Sequence, residues 1–372
     1  MIYLDNASTT RPSAACLEAV QKSLSERFGN PSSLYDLGFE AQKELERARE
    51  AIASALGCKS SQLVFTSGGT EANNMAVLGA ARARKAWAKN IVSTGYEHPS
   101  VANCLKQLAR EGFEVRLTAP GSGGLVSEEK LLAAVDEKTA LVSAMSVNNE
   151  TGARLDACAL AKEVKIKNSR AAFHCDHVQG FLKEKLLISR DIDTLSLSAH
   201  KVHGPKGIGA LYVRAGFNME NLCFGGSQER GVRPGTENAA YACGFAAAVK
   251  ETASSRFDPR PLRDALKSGL EGFEGLHINS PESASPYIFN FSLEGLRSET
   301  LLRYLASRSV YVSSGSACAK GERSHTLTAM GLRDSLVDSA LRVSFSSDNT
   351  LEDVSSLLEA LKNAQRELLG TK

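Results

Sequence analysis

Gln62-Leu-Val-Phe-Thr-Ser-Gly-Gly-Thr-Glu71 joins a short apolar run to a glycine turn, and a helix-compatible run continues from Glu71 to Ala88. Strand, tight turn and helix in that order make the first half of a βαβ unit. The alternation recurs downstream. Asn90-Ile-Val-Ser93, Ala140-Leu-Val-Ser-Ala-Met-Ser-Val147, Ala172-Phe-His-Cys-Asp176, Asp193-Thr-Leu-Ser-Leu-Ser198 and Gly209-Ala-Leu-Tyr-Val213 are strand candidates, most of them separated by helical stretches. That pattern predicts an α/β domain with a mostly parallel sheet.

The last third has a different rhythm. Arg260 to Phe273 is helical, while Ser285–Ser292, Ser309–Ser313 and Ala340–Phe345 are strand candidates. A final helix begins at Thr350, whose hydroxyl can cap it with Asp353 three residues on. Leu351, Val354, Leu358, Leu361 and Leu368 then mark its apolar face. The expected division is a larger domain over 14–250 and a smaller α+β domain formed by 1–13 and 251–372.

Composition narrows the function classes. The 372 residues are 42% hydrophobic and 23% charged, as in ordinary globular proteins. With 44 basic and 42 acidic residues the net charge is +2, unlike a dedicated nucleic-acid binder. The apolar run Ala239–Val249 is too short to span a membrane and fits a buried core helix. Met1-Ile-Tyr-Leu-Asp5 has no basic and apolar leader pattern, so a cytoplasmic protein without membrane contact is expected. The eight cysteines are scattered without a C-x-x-C pair, so no metal site is expected and most should be free buried thiols.

Five segments carry candidate chemistry. In Thr66–Glu71 the glycines precede a helix N-terminus, where backbone N–H groups and the helix dipole favour an anion such as phosphate; the bland reading is a plain turn. No Gly-Lys-Ser/Thr follows, so this is no P-loop. Ser198, His200 and Lys201 end a half-buried strand, where a desolvated lysine can act as nucleophile or imine partner. Lys206 competes for that role, but it sits in a Gly-Pro turn, which favours Lys201. Asp176 stands at the C-terminal end of a strand, suited either to pair with a cation such as a protonated pyridine nitrogen or to cap the next helix. His174, two residues earlier, is either a ligand or a hydrogen-bonded core histidine. His98, held before Pro99, can stack on a flat ring or carry a proton. Cys318 lies among small residues, with Lys320 and Arg323 near enough in sequence to favour its thiolate.

Taken in order, these segments resemble the NifS/IscS-type cysteine desulfurases of the class V aminotransferase family. The resemblance runs from Tyr3-Leu-Asp-Asn-Ala-Ser-Thr-Thr10 through Phe28-Gly-Asn-Pro-Ser-Ser33, Thr66–Asn74, Glu97-His98 and Val147-Asn-Asn-Glu-Thr-Gly152. It continues through His174-Cys-Asp176 with Gln179, Ser198-Ala-His-Lys201, Gly225–Asn238, Ser313-Ser-Gly-Ser-Ala-Cys318 and Leu341-Arg342. It implies a pyridoxal 5'-phosphate (PLP) enzyme of fold type I, aspartate-aminotransferase-like, with a mostly parallel seven-stranded sheet. It further implies that Lys201 holds the cofactor, Asp176 pairs with its ring nitrogen, Gln179 binds its ring hydroxyl and His98 stacks on it. Gly69, Thr70, Ser198 and His200 would bind the phosphate, and Thr236 would reach the phosphate of a second subunit, hence a homodimer. Asn149 would line the cofactor and substrate, and Arg342 would clamp the carboxylate of L-cysteine in a two-point contact. Cys318 would take the sulfur as a persulfide and pass it to an acceptor protein, a scaffold or a thiolation enzyme, for iron–sulfur cluster assembly or tRNA or cofactor thiolation. The alternative within this scaffold is a selenocysteine lyase or another PLP-dependent β-lyase. The residues after Cys318, Ala-Lys-Gly-Glu-Arg-Ser, depart from the Leu-Glu-Pro-Ser stretch more usual in the family, and His177 stands where a small residue is usual.

Overall fold

The computed structural model describes residues 1–314 and 323–369. The chain opens with the short strand β1 (Ile2–Tyr3). Seven further strands follow: β2 (Leu63–Thr66), β3 (Asn90–Thr94), β4 (Glu114–Thr118), β5 (Thr139–Ser143), β6 (Ala172–Asp176), β7 (Thr194–Ser198) and β8 (Gly209–Val213). These seven form one sheet in the order β2-β8-β7-β6-β5-β3-β4. Only β8 runs against its neighbours, β2 and β7; all other pairs are parallel. Strand β4 lies at the sheet edge and was absent from the sequence expectation. Its Glu114 and Arg116 pair with each other on a half-exposed strand, and edge strands of this kind lack a continuous apolar run.

The sheet is buried on both faces. Val142, Phe173, Leu195 and Leu197 pack with Ile52, Leu160 and Phe245 on one side. Ile91, Leu141 and Ala172 pack with Val77, Leu105 and Leu108 on the other. Residues adjacent in a strand thus serve opposite cores, as the two-residue period of a strand requires. Helix Ala239–Ser254 buries Ala242, Phe245 and Ala248, so the small apolar run belongs to the interior as expected. The helix after the glycine turn spans Gly69–Arg82, shorter than the run to Ala88.

The remaining strands are β9 (Leu276–Ile278), β10 (Ile288–Leu293), β11 (Val310–Tyr311) and β12 (Ala340–Ser344). Strands β12, β10 and β9 make an antiparallel sheet, and β11 pairs in parallel with β1. A separate core of Leu4, Leu266, Phe289, Phe291, Leu301, Val343 and Leu361 unites the chain start with its last third. The final helix, Leu351–Leu369, carries the capping arrangement: Asp353 N–H donates to Thr350 Oγ1 (3.3 Å) and Thr350 N–H to Asp353 Oδ2 (3.1 Å). Its buried face is Val354, Leu357, Ala360, Leu361 and Ala364; Leu351 and Leu368, placed on that face from sequence, are exposed. No helix among the described residues is long and apolar enough to cross a membrane. The seven described cysteines are free, but only Cys16, Cys104 and Cys175 are fully buried.

Candidate active site

Strands β2, β6 and β7 point the same way, so Thr66, Asp176 and Ser198 come to one edge of the sheet. In open α/β sheets that edge, beyond the C-terminal ends of the strands, holds ligands. Glycine is required where the turn after β2 approaches β8. A Cβ on Gly209 would lie 2.7 Å from the carbonyl carbon of Gly68.

Asp176 is 4% exposed, and both its oxygens are engaged. Oδ1 accepts from the Val178 N–H at 3.0 Å, and Oδ2 accepts from Asn73 Nδ2 at 2.7 Å. The carboxylate thus caps the turn after its strand and also faces a neutral side-chain donor; no helix begins there for it to cap. His174 is the hydrogen-bonded core histidine: Nδ1 lies 3.0 Å from Thr194 Oγ1 and Nε2 3.0 Å from Asn73 Oδ1. Burial pushes its pKa down to about 4, so the ring is neutral. His177 is likewise buried, 2.7 Å from Ser146 Oγ, with its pKa lowered by burial to about 3.

His98 caps helix Pro99–Arg110, and its Nδ1 accepts from the Ser100 N–H at 3.2 Å. Burial and the nearby Lys201 amine lower its pKa, against an opposing pull from Asp176. Its neighbour Glu97 is enclosed: Oε1 accepts from the Met145 N–H at 2.8 Å and from Thr94 Oγ1, while Oε2 has no partner. Desolvation raises the Glu97 pKa to about 8.

The segment from Asp5 to Thr10 draws the other candidates together. Lys201, in the short turn Ala199–Lys201 after β7, donates Nζ to the carbonyls of Ala7 and Ser8, both at 2.7 Å. Gln179 Nε2 donates to the same Ala7 carbonyl at 2.8 Å, leaving its buried Oε1 without a partner. His200 Nδ1 lies 3.2 Å from Thr9 Oγ1, and burial beside Lys201 holds its pKa down to about 3. Arg342, 2% exposed on β12, donates Nη2 to Asp5 Oδ1 (2.8 Å) and Ser8 Oγ (2.6 Å) and Nη1 to the Asn149 carbonyl (2.7 Å). The sequence marked this segment as part of the resemblance but gave it no role. Short side chains between two cores left no sign that its carbonyls would meet a lysine nearly 200 residues away.

Two basic candidates already have partners. Both Nη2 protons of Arg342 go to Asp5 and Ser8, while its buried Nε–H has no partner and is left for a ligand. Arg323 is engaged by two carboxylates. It is bound bidentately to Asp338 (2.9 and 3.0 Å) and also to Asp334, which neutralises its charge. Gly69 packs 3.5 Å (as a Cβ) from Ser198, at the first turn of a helix whose leading amides have no carbonyl to pair with. Thr70 and Thr236 are exposed, and the Asn149 side chain is half-buried beside Arg342. Cys318 and Lys320 lie outside the described residues.

These groups match what PLP presents. An anionic carboxylate suits a protonated ring nitrogen, and the unpartnered Oε1 of Gln179 suits a ring hydroxyl. Free helix amides with Ser198 suit a phosphate, and a sheltered amine suits the aldehyde. The residues fit the cofactor.

Comparison with known proteins gives the same picture. The family model for class V aminotransferases matches residues 2–357. A "NifS/IcsS protein homolog" of Lactobacillus delbrueckii subsp. bulgaricus is 40% identical over 97% of this chain and 96% of its own. A protein of Clostridium botulinum called cysteine desulfurase IscS is 37% identical over 97% and 93% respectively. A solved NifS-like protein superposes with a TM-score of 0.91 at 35% identity, covering 97% of this chain and 98% of the other. The chain belongs to the class V aminotransferase family, among its NifS/IscS-like members, a family of PLP enzymes.

Proposed function

We propose that this protein is a PLP-dependent cysteine desulfurase, which converts L-cysteine to L-alanine and carries the sulfur as a persulfide on Cys318 to an acceptor protein. The observation that carries the reading is the gathering of Gln179, His200, Lys201 and Arg342 around residues 5–10, at the sheet edge where Asp176 emerges. Full-length similarity to proteins called cysteine desulfurase supports the choice of substrate.

When bound, PLP supplies an electron-withdrawing ring that weakens first the Cα–H and then the Cβ–Sγ bond of the amino acid. Lys201 would anchor it through Nζ and later carry the Cα proton at that atom. Asp176 would keep a proton on the ring nitrogen, and Gln179 Oε1 would accept from the ring hydroxyl. Gly69, Thr70, Ser198 and the neutral His200 would take the phosphate. His98 would lie against the ring with its own proton on Nε2. Arg342 and Asn149 orient the substrate carboxylate. The Cys318 thiolate attacks the substrate sulfur: an S–S bond forms, the Cβ–S bond breaks with its electron pair left on carbon, and protonation gives alanine.

Surface chemistry supports the homodimer. Phe28, Leu34, Tyr35 and Phe39, close in sequence, are all more than half exposed, and a second copy of the chain would cover such large apolar side chains. Exposed Thr236 is then available to the neighbouring subunit's phosphate. The two cores support a division near residue 250, and the protein is assigned to the cytoplasm. Borohydride reduction followed by peptide mapping tests the anchoring group. The wild type should retain cofactor on the Lys201 peptide, and Lys201→Ala should retain none. A covalent adduct in that variant would refute the assignment.

A further inference from the structure

Asn73, on helix Gly69–Arg82, is 1% exposed, with both amide protons and its carbonyl oxygen engaged. Oδ1 faces His174 Nε2 at 3.0 Å. Nδ2 donates to Asp176 Oδ2 at 2.7 Å and to Ser100 Oγ at 2.8 Å. Ser100 Oγ lies in turn 2.8 Å from His98 Nδ1. One buried amide therefore joins the two groups that flank the cofactor position, and neither the sequence motifs nor the family resemblance gave it a role.

The direction of each proton follows from the chemistry of the partners. An ionised Asp176 only accepts, so the NH2 end of Asn73 must face it. Oδ1 then accepts, and His174 must carry its proton on Nε2, leaving Nδ1 to accept from Thr194 Oγ1. Ser100 Oγ receives the second Asn73 proton, so its own hydrogen is directed to His98 Nδ1. That nitrogen also accepts from the Ser100 N–H at 3.2 Å. With two donors aimed at Nδ1, the His98 proton is confined to Nε2. The ionisable groups around this chain are Asp176 and His174 on β6, Glu97 and His98 on the loop after β3, and Lys201, whose charge reaches His98.

We propose that Asn73 is a positioning residue that orients the Asp176 carboxylate and supports the Nε2–H tautomer of His98 together, so that the two groups act on the cofactor as one hydrogen-bonded unit. The inference rests on the functional reading above. Its two arms are separable: Asn73→Ala removes the amide from both branches, while Ser100→Ala keeps the bond to Asp176 and removes the hydroxyl donor to His98, leaving only the backbone N–H of residue 100 on Nδ1.

The test compares the visible absorbance of bound PLP against pH, and the pH profile of kcat with L-cysteine, in wild type and both variants. A lost hydrogen bond to a charged group corresponds to about 10- to 100-fold, so Asn73→Ala should lose that much kcat with little change in KM. It should also displace the absorbance midpoint. Ser100→Ala should shift the kcat profile and leave the absorbance midpoint in place. A purely structural amide would reduce the folded fraction and move neither profile. Wild-type profiles in Asn73→Ala would overturn the proposal; should that variant not fold, a wild-type kcat profile in Ser100→Ala would overturn it. A wild-type protein that gains no visible absorbance with PLP would sink the functional reading itself, and this inference with it.

Discussion

Glu97 illustrates how far one residue's surroundings decide its chemistry. Next to a histidine proposed to stack on the cofactor, it is a carboxyl sealed from water, with one oxygen unpartnered. Its pKa is raised to about 8 by burial, with a smaller contribution from Asp176. The folded chain keeps this proton while the unfolded chain loses it near the ordinary value. Stability is therefore fully present below about pH 4.5 and is lost as pH rises through about 8. Glu97→Gln removes that slope. Its stability relative to wild type, measured by denaturant unfolding, should improve between pH 5 and pH 8 by on the order of 3 kcal/mol. An unchanged difference at the two pH values would mean that Glu97 ionises in the folded protein. His174 and His177 act oppositely: their lowered values cost stability as pH falls below 6.5, when the unfolded chain takes up protons that the native rings refuse.

At the scale of elements, the turn at Gln228–Gly231 shows what holds an unfavourable backbone. Glu229, Arg230 and Gly231 have φ of 48°, 59° and 74°, a run in the left-handed region that costs most for the two residues with side chains. Buried Arg49 binds Glu229 through two hydrogen bonds of 2.6 and 2.7 Å, and the Phe65 N–H donates to the same carboxylate at 2.9 Å. This pair ties the stretch Gly225–Asn238, which carries Thr236, to β2 and helix Asp36–Leu56. Glu229→Gln would leave buried Arg49 only the half-exposed Glu46 as counter-charge and should cost up to about 3–5 kcal/mol, seen as a lower denaturant midpoint. A midpoint equal to wild type would show that the pair is not a support. Elements of this kind set the boundary of what was legible from sequence. The strands that end at Asp176 and Ser198 were legible because apolar residues buried on both faces leave continuous runs. The edge strand Glu114–Thr118 was not, because its charges pair on the surface. Nor was the role of Asp5–Ser8, whose meaning arises only when β1 joins β11 and brings distant carbonyls to Lys201. The contacts of Arg342 with Asp5 and Ser8 likewise had no local signature.

Across the whole molecule, two cores are joined by a segment that belongs to both: Leu4 packs with the C-terminal core, and three residues later the Ala7 carbonyl meets Gln179 and Lys201 from the large sheet. Arg342, proposed to face the substrate, comes from one side of this junction, and Lys201, proposed to hold the cofactor, from the other. Sulfur transfer is the property that requires the entire assembly, since Cys318 must receive what Lys201, Asp176 and Arg342 prepare. The most direct measurement is peptide-resolved mass spectrometry of the wild-type protein after incubation with L-cysteine, with alanine quantified in the same sample. The account predicts one added sulfur atom on the Cys318 peptide and a matching amount of alanine. Alanine formed together with free sulfide, and an unmodified Cys318 peptide, would contradict it.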